Sequence, residues 1–135
     1  MILLLISLNY LGYAEGEIKA LEKIYPEFYK IVEGKGYIPS IDLNKAERLI
    51  KYNDDGKNPF FAYARGEIRR LQKQNSDQFY TNAIERANRY DELFLLDKMF
   101  IRLNLLKYSK NVESKILNSL KSSNVVANFP LSKLY

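Results

Sequence analysis

The sequence predicts an all-α protein. The expected form is a helical bundle of two duplicated helical units, over residues 10–52 and 59–90, plus a long apolar helix and an extended C-terminal tail. Two observations carry this. First, residues 13–23 (YAEGEIKALEK) recur fifty positions later as residues 63–73 (YARGEIRRLQK), with seven of eleven positions identical. The match runs outward: Tyr10-Leu11 aligns with Phe60-Phe61, and Phe28-Tyr29 with Phe79-Tyr80 after a one-residue insertion. An internal repeat marks a repeated supersecondary unit and so comes before any other feature. The period is too long for a tetratricopeptide unit, and two copies are too few for a solenoid. Second, apolar residues recur at spacings of three and four, the period of a helix buried on one side.

Residues 1–8 (MILLLISL) are continuously apolar. They are far fewer than the about 20 residues needed to span a bilayer. Read as a signal peptide, they lack a positive n-region, and cleavage after Ala14 would split a unit that recurs mid-chain. A retained core segment is expected, either a buried strand or the first turns of a helix. Tyr10, Leu11, Ala14, Ile18 and Leu21 then share one helical face. Tyr25-Pro26 interrupts that helix, because the residue before proline avoids helical backbone. Pro26 can open a short helix through Glu33. Gly34-Lys35-Gly36 reads as a loop, and residues 37–41 as extended around Pro39. Residues 43–52 read as a helix with Asp42 as N-cap, followed by a polar turn over residues 53–58.

The second copy is the clearest amphipathic helix. Phe60, Phe61, Ala64, Ile68 and Leu71 fall in one arc, and Arg65, Arg69, Arg70 and Lys73 in the opposite one. Asn58-Pro59 supplies an N-cap and a proline at the first helical position. Residues 76–108 read as one long helix without Gly or Pro, with a break conceivable at 88–91. Its stretch 93–106 is apolar nearly all round, which predicts burial on most sides, as a central helix or an oligomer contact. Residues 112–120 form a shorter helix. Residues 122–135 contain Pro130 and are read as a docking tail.

At 135 residues a single domain is expected, large enough to bury a real core. The chain has no cysteine, so disulfides and thiolate metal sites are excluded. It has no histidine, which removes the commonest general acid/base and metal ligand. The net charge of +5 favours an anionic partner. Asn53-Asp54-Asp55-Gly56 fails the calcium-loop pattern, since Lys51 and Ala62 stand where ligands belong. Glu33-Gly34-Lys35-Gly36 is not a P-loop. No catalytic residue, metal site or cofactor is expected, nor a membrane span; the placement expected is cytoplasmic.

Gly16 and Gly66 sit mid-helix, where glycine costs about 1 kcal/mol against alanine. Close helix packing is the expected compensation; a ligand lying across the glycines is the sharper alternative. Glu17 and Glu67 follow them. Each reads first as a solvated carboxylate, or for Glu67 one paired with Arg70 three residues on. The competing reading is a matched carboxylate pair in a small hydrolase. The basic face has diverged between copies: Glu15 became Arg65, and Ala20 became Arg70. Arginines at i, i+4 suit phosphate, because a guanidinium hydrogen-bonds oxyanions in pairs. The bland reading is a solvated face that pairs internally. The eleven tyrosines, able to stack bases, are more simply half-buried core.

These features predict a non-catalytic binding or assembly protein. It would dock into a protein complex or onto nucleic acid, or meet an acidic partner, through Arg65, Arg69, Arg70 and Lys73. A homo-oligomeric structural protein of viral or phage type is the alternative.

Overall fold

The computed structural model describes residues 2–28 and 40–121, and side chains within 13–28 and 43–121. Among the described residues there are six helices and no strand. They are α1 (Ile2–Ile24), α2 (Ser40–Asn53), α3 (Pro59–Leu71), α4 (Asp77–Arg86), α5 (Tyr90–Arg102) and α6 (Leu106–Lys121). No described helix is long and apolar enough to cross a membrane. The all-helical class is therefore present. The expected tail at 122–135 and the loop at 34–36 lie outside the described residues.

The helix ends follow local chemistry. The apolar run at the N-terminus is helical from Ile2. α1 stops at Ile24, one residue before the Tyr25-Pro26 pair, and the Tyr25 amide makes a last helical bond to the Leu21 carbonyl at 3.0 Å. α2 starts at Ser40, so Asp42 lies inside its first turn rather than capping it. α3 begins as its sequence predicts: the Asn58 side chain accepts from the Phe60 amide at 2.9 Å, with Pro59 at the first helical position. Its end was not legible. Lys73 takes a left-handed conformation (φ 59°), and the Lys73 and Gln74 amides donate back to the Arg70 and Arg69 carbonyls. That bond pair is a Schellman cap, built here on lysine instead of glycine.

The single long helix expected over 76–108 is instead α4, α5 and the start of α6; the first break, at 87–89, overlaps the break allowed at 88–91, and the second does not. Arg89 is extended (φ −131°, ψ 149°). The Glu92 carboxylate accepts from the Asn88 and Arg89 amides at 3.0 and 3.1 Å, reaching back to start a new helix. The second break is a Schellman cap on Asn104 (φ 59°), with the Leu105 amide on the Phe100 carbonyl at 2.8 Å. Apolar spacing continues across both breaks, so periodicity alone does not show them. The breaks also change burial. Leu93, Leu96, Met99 and Phe100 are core, whereas Ile101 and Leu106 are half exposed.

The helices fall into two compact units. One comprises Met1–Gly16 and Ala87–Tyr135. Its described core joins α5 to α6 through Leu93, Leu96, Phe100 and Val112, with the Phe100 and Tyr108 rings 5.5 Å apart. The Tyr90 hydroxyl meets Ser119 Oγ at 3.0 Å, and the Arg89 guanidinium lies 4.3 Å over the Tyr13 ring. The other unit is Glu17–Arg86. There α3 packs against both α2 and α4, burying Ala46, Ile50, Phe60, Tyr63, Ile68, Tyr80 and Ala83. Asn58 Nδ2 donates to the Glu17 carbonyl at 3.0 Å, tying the second half of α1 to the start of α3.

Candidate functional site

The candidate residues of the second repeat all sit on or just after α3, and they divide into two clusters. Gly66, Glu67 and Arg70 face α4. A Cβ built on Gly66 would lie 2.6 Å from Tyr80 Cε1, so the glycine admits the Tyr80 ring. Glu67 is wholly buried. Its carboxylate accepts from Arg70 Nε and Nη2, both at 3.0 Å, and from the Tyr80 hydroxyl. This is a two-pronged guanidinium–carboxylate pair with a phenol added. Burial, and then the Glu67 charge, hold the Tyr80 phenol well above its ordinary value, so it stays a neutral donor. The hydrogen bonds that Arg70 donates to Glu67 likewise raise Arg70 above its usual range.

The second cluster joins three helices. Arg65 Nε and Nη2 donate to Glu47 Oε1 at 3.3 and 3.2 Å, and Arg69 Nη2 donates to the same oxygen at 3.1 Å. Arg69 Nη1 also donates to Gln74 Oε1 at 2.8 Å. Both guanidiniums lie over the Phe79 ring, 4.5 and 5.5 Å from its centre. Aromatic stacking plus hydrogen bonding holds the two side chains in place. The side chains of Arg65, Arg69 and Arg70 are 18%, 34% and 39% exposed. Lys73 is exposed at the end of the row.

Identical repeat positions meet different surroundings. Tyr13 is 53% exposed and Tyr63 fully buried, whereas Leu21 is buried and Leu71 exposed. Among the described residues nothing lies within 4 Å of the place a Cβ would take on Gly16. Tyr29, which aligns with Tyr80, lies outside the described residues. Glu17 is partly exposed.

Four residues of the site were not singled out from sequence: Glu47, Gln74, Phe79 and Tyr80. One signal did exist for the last two, since Phe79-Tyr80 extends the repeat. Nothing in the sequence marks Glu47. Elsewhere the aspartates of the 53–58 turn are engaged by backbone amides of the turn and by Arg86 of α4. Asp54 Oδ1 accepts from the Gly56 amide and from Arg86 Nη1, each at 2.9 Å. Asp55 Oδ1 accepts from the Lys57 and Asn58 amides, bonds that pull its carboxyl below the usual 3.8. Among the described residues no three His, Cys, Asp or Glu side chains are grouped to hold a metal. No protein family, curated protein or solved structure matches the chain.

Proposed function

We propose that this chain is a non-catalytic binding protein that contacts the phosphates of a nucleic acid through the basic edge of α3. The observation that carries this reading is the Arg65–Arg69 pair, ordered on Phe79 and continued by Arg70 and the exposed Lys73. Ordered guanidiniums lose little freedom on meeting an oxyanion, and the net charge of +5 assists approach. α1 and α3 are taken as copies of one duplicated unit, of which the second acquired the partner face. Glu67, the best-placed carboxylate for acid–base work, is committed to Arg70 and Tyr80, which favours binding over hydrolysis.

The test is fluorescence anisotropy with a labelled single-stranded RNA of about 20 nucleotides. Native protein is compared with an Arg69→Gln, Lys73→Gln variant at about 50 and 200 mM salt. Binding that weakens steeply with salt, with a shallower salt slope in the variant, supports the reading. Binding to an acidic protein but not to RNA reassigns the partner, and binding to neither sinks it. A second reading, self-association, is favoured by Leu106 and Leu117, which are half exposed and eleven residues apart on one face of α6. A salt-resistant dimer in sedimentation, lost in Leu117→Glu, would support that one.

A further inference from the structure

Given the phosphate-contact reading of α3, on which this rests, we infer that Glu47 is a built-in competitor. It occupies, with its own carboxylate, the place between Arg65 and Arg69 that a phosphate of the bound strand takes. Three guanidinium N–H groups converge on one oxygen of Glu47. The other oxygen, Oε2, is closed off from solvent and has no hydrogen-bond partner among the described residues, and neither has Arg69 Nε. A pairing made for stability alone would match two oxygens to two donors, as Glu67 does with Arg70. Around Glu47 the match is incomplete on both sides.

Charge points the same way. A strand phosphate carries the same single negative charge as Glu47, so it can replace the carboxylate like for like, and being free to orient it can offer one oxygen to each guanidinium where Glu47 offers only Oε1. Glu47 is 14% exposed at its side chain and lies on α2 among exposed Asn44, Lys45 and Arg48, so it can swing outward without leaving a buried charge behind. The Arg65 and Arg69 side chains need not move, because Phe79 holds them. The native chain therefore binds phosphate more weakly than its arginines allow.

The experiment uses the same labelled RNA with the full chain. Glu47→Gln should tighten binding roughly fivefold, the scale expected for releasing a partly exposed ion pair. It should also steepen the salt slope, by at most about 0.7, because the free site then holds two uncompensated guanidinium charges where the native site holds one. Glu47→Asp keeps the charge but shortens the reach, and should give part of the same gain. Glu15→Gln, an equal charge change at an exposed position, should give little. Adding Arg65→Gln and Arg69→Gln to Glu47→Gln should erase the gain. If native protein binds RNA and both Glu47 variants bind no more tightly, Glu47 is only a structural tie and the inference is overturned while the functional reading stands. If no variant binds RNA, both fall together. A melting curve for each variant confirms that folded proteins are being compared, and the Asp variant decides if the Gln variant does not fold.

Discussion

Gly16 and Gly66 hold the same place in the repeat, and their surroundings give opposite expectations for alanine. At Gly66 the added methyl would meet the Tyr80 ring at 2.6–2.7 Å. That ring is buried and its hydroxyl is bonded to Glu67, so it cannot simply turn aside. Gly66→Ala should lose about 1–3 kcal/mol, the usual range for overpacking. Gly16 is exposed in mid-helix with open space around it. Gly16→Ala should gain about 0.5–1 kcal/mol by restricting the unfolded chain. Urea titrations of the two variants check the pair, and equal signs would contradict this geometry. The arginines also separate by their partners. Arg70 is the only described cation on the buried Glu67, so Arg70→Gln should destabilise by on the order of 2 kcal/mol. That is below the figure for fully buried pairs because Arg70 is itself partly exposed. Lys73 has no such burden, which makes it the cleaner position for testing partner contact.

At the scale of elements, α5 and α6 are joined by a contact that depends on pH. Ser109, buried on α6, donates toward Asp97 Oδ1 on α5 and lies 3.3 Å from Glu113 Oε2. Burial raises Asp97 above its ordinary 3.8, and the Glu113 charge adds to that, against the lowering effect of the Ser109 hydroxyl. The folded chain therefore keeps a proton on Asp97 at pH values where the unfolded chain has released it. The resulting stability is fully present below about 3.8 and is lost as pH rises through the higher folded value. Asp97→Asn cannot ionise. Its stability relative to the native chain should therefore rise between about pH 4 and pH 7. Thermal melts across that range test this, and a constant difference would refute it. The helix breaks belong to this scale too. A Schellman cap needs a residue that tolerates positive φ, and Asn104 is one that sequence reading can flag. Lys73 is not, because a left-handed lysine costs on the order of 1 kcal/mol and carries no compositional signal.

Over the whole molecule, 21 basic and 16 acidic residues leave +5, but total charge does not say which cations are available. Three of the four α3 candidates share their charge with Glu47 or Glu67, and only Lys73 stands apart. On the phosphate-contact reading, the salt dependence of RNA binding, already steep in the native chain, is therefore expected to be steeper still once Glu47 is neutralised. The helical class, the end of α1 before Pro26, the start of α3 at Asn58-Pro59 and the amphipathic arc of α3 were all legible. Each depends on residues within one or two turns of each other, where backbone sterics and capping operate. Of the two breaks in the long apolar stretch, the one before Tyr90 overlaps the break that residues 88–91 allowed, whereas the one at Asn104 was not expected, because its cap interrupts the backbone without interrupting the apolar spacing. Nor was the contrast between Gly16 and Gly66, or the role of Glu47. Two nearly identical eleven-residue segments carry the same local preferences, so only what packs against them tells them apart. Tyr80 lies fourteen positions beyond Gly66 in sequence, and Glu47 eighteen before Arg65, and only the packing of α2, α3 and α4 brings them into contact.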